Sequence, residues 1–498
     1  MAKYLDAIDD DTVNSPGGLG DQSLGQDDPL FFRIREGNTE NLFYRNGPVA
    51  AHILCTSGEI PKMIVAFPAG NSGLGIWFKG SGHPVDLRVC DPMREIQSRE
   101  GLFGVRFAVE ASAPELILEE GVLGSIRVIR DFATNHHLDD ALKWVVKVTG
   151  QGVRAFRDRL DGKCRYETEI KPGRGTVIIE KDGLLVFQAP QNTGNHPIRF
   201  TLTVLCGERP LTPIPAGELL KEEAGTDERL QKVLTFLSYD EKLAAGSWRF
   251  LTYFGRDTEL SLVMLMPALK SRGIEAGLSS LIERLNDYGE VAHEEEIGEF
   301  AVIRHAGDRT CDKQDTPIYD YKMIDDDLLL APLLARFFID CPQAGKSVGR
   351  FLDKTTICGR SYRDAVFRNL SLVLSRARSF AQSPSITTLL ALKANETVGN
   401  WRDSANGLGG GKIPYDVNVA LMPVALQATA GLFARGLFGP KQDLADQAID
   451  LAKAWQEAGD YFKISVPKEK ACQLVREYAI TVGVPAEDAV ASIDRDIN

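Results

Sequence analysis

The sequence predicts a β-sandwich followed by an all-α domain, and three observations carry this. The chain has 498 residues, more than one hydrophobic core ordinarily serves, so two or three folding units are expected. Its first half is short-stranded and rich in Gly, Pro and Asp turns, whereas its second half carries apolar residues at three- and four-residue spacing. Strands gathered in one half and helices in the other imply segregated domains, not alternating α/β layers.

Residues 9–29 are rich in Asp, Gly, Ser and Pro and almost free of apolar side chains. That composition cannot offset its ordering entropy, so residues 1–28 are expected to form a mobile lead-in. From 29 to 215 the texture is β-like. Arg199 to Leu205 alternates between faces, as does the run Lys143-Trp144-Val145-Val146-Lys147-Val148. Two apolar runs between Thr176 and Phe187 flank Lys181-Asp182-Gly183, a hairpin turn because Gly tolerates positive φ. Pro210 to Ala216, with its prolines, marks the boundary. Over 216–498, helical spacing appears at Leu230–Tyr239, Thr258–Lys270, Glu275–Leu285, Asp326–Phe338, Tyr362–Phe380, Val419–Phe433 and Leu444–Tyr461. Hairpins of helices following one another point to a toroid of paired helices.

Composition narrows the functional classes. An apolar fraction of 44% and a charged fraction of 25% are those of a globular protein. A net charge of −12 disfavours nucleic acid, whose affinity rests on clustered Lys and Arg, and disfavours an anionic membrane surface equally. A neutral sugar meets no such objection. The N-terminus lacks the basic start and apolar stretch of a secretory signal, and no apolar run is long enough to span a bilayer. Cys55, Cys90, Cys164, Cys206, Cys311, Cys341, Cys358 and Cys472 are scattered singly. They form neither a zinc motif nor a disulfide framework, so reduced thiols in a cytoplasmic protein, with no metal and no cofactor, are expected.

Four loops carry unusual residue combinations. Gly246 to Glu259 joins Trp248 and further aromatics to Arg256 and Asp257, just before a helix. Aromatic faces stack on sugar rings and an Arg–Asp pair grips hydroxyls, although Asp257-Thr258 also reads as a helix cap and the aromatics as core. His293-Glu294-Glu295-Glu296 lacks the second His of a metalloprotease motif, and an acidic run is commonly a solvated face. Asp325-Asp326-Asp327 enters an apolar helix, where one or two carboxylates serve the dipole and three exceed that need. Gly399 to Gly411 sets Trp401 beside Asp403 in a glycine-rich loop. An indole wall can desolvate that acid and raise its pKa, as a general acid near neutrality requires; a surface turn with an incidental Asp is the other reading.

Together these segments resemble a family. Ala244 to Leu265, AAGSWRFLTYFGRDTELSLVML, is similar to the FGRDT entry of the glycogen-debranching amylo-α-1,6-glucosidase-like proteins. GEVAHE at Gly289 to Glu294, Ile324-Asp325 and GNWRDS at Gly399 to Ser404 resemble that family's HE loop, helix entry and WxDS loop, in the same order. The resemblance, to the six-hairpin glycoside hydrolase superfamily, covers about Pro29 to Asp460. It implies an N-terminal β-sandwich before an (α/α)6 toroid and cleavage of α-glucosidic linkages by inversion. Asp403 would be the general acid, and Trp248, Arg256, Asp257, His293, Glu294, Asp325 and Trp401 would bind the sugar. The family's base is a late Glu, yet Glu469, Glu477 and Glu487 stand in solvated settings and fewer than twelve helices are countable. The toroid is therefore expected to be incomplete at its C-terminal end. A glycosidase for another sugar, such as an α-rhamnoside, and a non-catalytic carbohydrate-binding protein are the alternatives.

Overall fold

In the computed structural model, which describes residues 29–497 apart from 81, 191–196, 226, 307–313, 342–344, 346, 400–415 and 464, the first half folds into two large antiparallel sheets. The expected lead-in, residues 1–28, lies outside the described residues. One sheet has eight strands: the first five in chain order, Leu30–Glu36, Thr39–Asn46, Val49–Thr56, Lys62–Phe67 and Ser72–Phe78, then Glu115–Ser125, Leu184–Gln188 and Val177–Lys181. The other has six, in the order Leu87–Gln97, Phe103–Ala111, Ile198–Cys206, Arg165–Pro172, Gly152–Asp158 and Val145–Thr149.

Side-chain alternation explains the packing. Leu42 and Tyr44 face the other sheet, where they meet a core containing Phe107, Phe187 and Phe200. Phe43, between them, faces the opposite way with Ile64 and Trp77. Those outer residues are covered by the helix Ile126–Asn135 and by Phe236, Trp248 and Leu251 of the second half. The eight-stranded sheet is thus covered on both faces around its centre, and strands in that setting read as continuous apolar runs, as Ser72–Phe78 does. The hairpin at Asp182-Gly183 forms with both residues at positive φ, 53° and 76°. Val145–Thr149, read as alternating, is an edge strand exposed along its length.

The second half is helical, but the expected (α/α)6 toroid is overturned. Thirteen α-helices occur among the described residues, one of them within the β-rich half. Only eight in the second half reach nine residues, and they do not form six hairpins around a ring. Ile324–Ala335 and Asp416–Ala434 pack against each other. Leu328, Leu329, Leu330, Leu333 and Leu334 bury every face of the first, and a helix apolar all round belongs in the middle of a bundle. Tyr362–Gln382, Gln442–Trp455 and Gly255–Leu265 pack around that pair. Periodicity told which face of each helix is buried but not against what, so a succession of hairpins was compatible with either arrangement. The helices Gly298–His305, Ser347–Leu352 and Lys468–Val482 were not foreseen. No helix among the described residues is long and apolar enough to cross a membrane.

Buried charges fasten the sheets to the helices. Arg157 donates twice to Glu299 at 2.6 Å and also to the Leu123 carbonyl, while the Ser125 N–H donates to Glu299 at 3.2 Å. Arg157 is 6% exposed and Glu299 0%, so neither ion has water to fall back on. Arg45, in the second strand, donates to the carbonyls of Thr235 and Ile214.

Arg157→Ala is expected to destabilise the chain by about 3–5 kcal/mol, since it leaves the Glu299 carboxylate buried and unpaired. The double change Arg157→Met with Glu299→Leu should recover most of that loss. Urea unfolding of the three proteins checks this; a single-mutant loss below about 1 kcal/mol, the scale of an exposed pair, would contradict it.

Candidate functional site

The first turn of Ile324–Ala335 is where the second half concentrates its charge. Asp325, Asp326 and Asp327 all lie there and none has exposed surface. A helix N-terminus favours carboxylates, but burial of three in succession demands specific partners. Asp325 Oδ2 accepts from Arg256 Nη1 at 2.7 Å. Asp326 Oδ2 lies 2.8 Å from His293 Nδ1. Asp327 accepts the Val291 N–H at 2.8 Å and meets Arg376 and Lys393, each at 2.8 Å.

Local geometry brings those partners in. Phe254 and Glu294 form a β-bridge, and the Gly255 N–H donates to the His293 carbonyl at 2.8 Å. A Cβ on Gly255 would stand 2.3 Å from the Ala292 carbonyl oxygen, so only glycine permits this approach. Gly289 takes φ +84° where a Cβ would strike the backbone of Arg368 and Asn369 at 2.4 Å. Phe254 then sets its ring edge-on to His293, 6.1 Å between centroids. The strand Glu294–Glu296 pairs with Ile318–Asp320, which holds the acidic run against the segment leading into the aspartates.

Two further carboxylates complete the cluster. Glu295, 3% exposed, accepts from Lys242 at 2.5 Å, Thr252 at 2.6 Å and Arg284 at 2.9 and 2.8 Å. Burial alone would push its pKa up, yet Arg284 and Lys242 hold it well below the usual carboxylate range. Glu259 is the opposite case. Neither of its oxygens has a hydrogen-bond partner among the described residues. Burial, with Asp326, Asp325 and Asp327 nearby, pushes it well above the ordinary value. Burial also raises Asp325, helped by Asp326 and opposed by Arg256. Asp327 is pushed up to about 6 by burial against the pull of Arg376 and Lys393. Asp325 Oδ1 and Asp326 Oδ1 have no partner among the described residues, and no group of His, Cys, Asp and Glu there is arranged to hold a metal ion.

Of the residues singled out in the sequence, Arg256, His293 and Asp325 meet at this helix entrance. Glu294 lies beside them and accepts from Arg127 at 2.9 Å. Asp257 is exposed in the first turn of Gly255–Leu265. Trp248 is elsewhere: its indole belongs to the core shared by sheet and helices, and its backbone N–H donates to His52 Nδ1 at 3.0 Å. Trp401 and Asp403 lie outside the described residues. Gly399, just before them, places its carbonyl on the Ile324 N–H at 3.0 Å, at the same helix entrance. Glu259, Glu295, Arg284 and Lys242 were missed, because a buried charge carries no mark in sequence that separates it from a surface one. Compared with the known protein families and with curated proteins, the chain matches none.

A carboxyl whose folded pKa exceeds its unfolded one stabilises fully below the unfolded value and loses that contribution as pH rises toward the folded one. Relative to Glu259→Gln, the parent should therefore lose stability as pH climbs above the ordinary value of 4.5, by up to ~1.4 kcal/mol per pH unit. Unfolding free energies of both proteins between pH 5 and about 8 give the comparison. Parallel curves would mean that Glu259 ionises normally.

Proposed function

We propose that the chain is a glycoside hydrolase that cleaves α-glucosidic linkages of an oligosaccharide or glucan, with Asp403 as general acid. The observation that carries this reading is convergence. The FGRDT, HE and helix-entry segments, far apart in sequence, interlock through Arg256–Asp325 and His293–Asp326, and the GNWRDS segment begins at the same entrance through Gly399. These are the segments on which the family resemblance rests, and the reading attaches to them and not to a toroid.

In this reading Arg256 offers donors and the exposed Asp257 an acceptor to sugar hydroxyls, and His293, Glu294 and Asp325 line the bound unit. Asp325 uses one oxygen on Arg256 and keeps the other without a partner among the described residues. Asp403 then protonates the departing glycosidic oxygen while a water attacks from the other face of the ring, which inverts the anomeric centre. Glu469, Glu477 and Glu487 are exposed, and Glu487 is paired with Arg476 at 2.9 Å, so none of them is assigned as the base that would activate this water. That observation favours a second reading, a carbohydrate-binding protein without turnover. A cytoplasmic location belongs to the proposal as well, supported by the free thiols of Cys55, Cys164, Cys206, Cys341, Cys358 and Cys472.

Turnover of an aryl α-glucoside, maltose and isomaltose by the parent and by Asp403→Asn tests the reading. The amide cannot deliver a proton, so the variant should lose about 10²- to 10⁴-fold, more on the disaccharides than on the aryl glucoside, whose leaving group needs less help. Equal rates would remove Asp403 from the mechanism. Binding without turnover in the parent would establish the second reading.

A further inference from the structure

A shallow cleft opens beside the aspartate cluster, at the seam between the eight-stranded sheet and the helices. Arg127, Arg130, Arg249, Phe254, Glu294 and Asn71 are among its lining, and its open space is about 280 Å³, solvent included. Phe254 joins the cleft to the candidate site, since the same ring lies edge-on to His293.

The lining carries three arginines, Arg127, Arg130 and Arg249, and three glutamates, Glu294, Glu295 and Glu296, which are not all paired with one another. Its carboxylates are already answered: Glu294 by Arg127 at 2.9 Å, Glu296 by Arg127 at 3.6 Å and Arg304 at 3.4 Å, and Glu295 by Arg284 and Lys242. Arg130 and Arg249 are left with no ion-pair partner among the described residues. Arg130 donates to the Arg249 carbonyl at 3.3 Å and rests over the Phe250 ring at 5.3 Å. Arg249 lies over the Trp248 ring at 5.0 Å. Stacking on aromatic faces orients both guanidiniums while leaving donors of each for a ligand. Burial, then the neighbouring Arg127, draws Arg130 below its ordinary pKa, a tension that an anion in the cleft would relieve. Asn71 lines the same cleft, and its buried Oδ1 has no hydrogen-bond partner among the described residues, an acceptor suited to a hydroxyl.

We propose that this cleft is an anion subsite, in which Arg130 and Arg249 hold the carboxylate or phosphate of an acidic sugar unit. A guanidinium presents paired donors that match either group in bidentate fashion. The proposal names the substrate class of the site described above and rests on that reading only in placing the anion on a sugar. Anion binding is measured without turnover, so the two can fail separately.

Calorimetric titration of the full chain at low ionic strength, with glucuronate, glucose 1-phosphate, inorganic phosphate and glucose as probes, decides it. At least one anionic probe should bind more tightly than glucose and weaken by about tenfold or more in Arg130→Gln and in Arg249→Gln, as loss of a charge-assisted hydrogen bond implies. Glucose binding should be unchanged in both variants. Glucuronate alone responding would identify a carboxylate as the source, and the phosphate probes alone a phosphate. Arg249 is exposed, so Arg249→Gln remains interpretable if Arg130→Gln does not fold. No anionic probe binding above glucose, or affinities unmoved by Arg249→Gln, would overturn the proposal. Anion binding by a protein with no glycosidase activity would leave the subsite standing and remove the hydrolase reading.

Discussion

Three consecutive carboxylates buried at one helix entrance set the terms for the second half of this protein. Removing an ionised carboxylate from water costs several kcal/mol unless partners replace the solvent. Asp325, Asp326 and Asp327 therefore draw in Arg256, His293, the Val291 N–H, Arg376 and Lys393 from four separate segments. The loops that carry these partners have little freedom to sit elsewhere. Glu259 meets the same constraint without a hydrogen-bond partner among the described residues, and burial beside the three aspartates raises its pKa. The result is a rigid polar floor, and loops held by a rigid scaffold are where binding residues are usually presented.

The sheets contribute by anchoring that floor from one side. Because the eight-stranded sheet is covered on both faces, the segment Trp248–Phe250 packs on it before the chain turns into Gly255–Leu265. The buried pair Arg157–Glu299 fixes the helix Gly298–His305, directly after the strand Glu294–Glu296, to the six-stranded sheet, and the Ser125 N–H ties Glu299 to the eight-stranded one. The position of Glu294 and His293 thus depends on contacts with both halves. The cleft with Arg130 lies where the two halves meet, which explains why its lining comes from the helix Ile126–Asn135 as well as from the Phe254 and Glu294 loops.

Much of this architecture was legible in the sequence, for identifiable reasons. The hairpin at Asp182-Gly183 was readable because few residues adopt positive φ, and Ile198–Cys206 because alternation reports a sheet with distinct faces. Seven helices in the second half were readable from their spacing. Arg256, His293 and Asp325 were chosen from separate motifs, and they meet. The arrangement of the helices was not legible, since an apolar stripe does not name its partner; only the structure shows Ile324–Ala335 buried on every face at the centre of a bundle. Trp248 shows a related ambiguity: an indole face that suits a sugar also suits a hydrophobic core, and the core is where the indole lies. Glu295, with Lys242 and Arg284 around it, looked like a solvated acid because burial of a charge is a tertiary property.

The central claim is that the FGRDT loop is locked to the aspartate helix by charge, and a double-mutant cycle on Arg256 and Asp325 measures this directly. Unfolding free energies of the parent, Arg256→Met, Asp325→Asn and the double variant give the coupling between the two side chains. With Asp325 fully buried and Arg256 2.7 Å away, a favourable coupling of about 1.5–3 kcal/mol is expected. A coupling within about 0.3–0.5 kcal/mol of zero, the range of independent sites, would contradict the account.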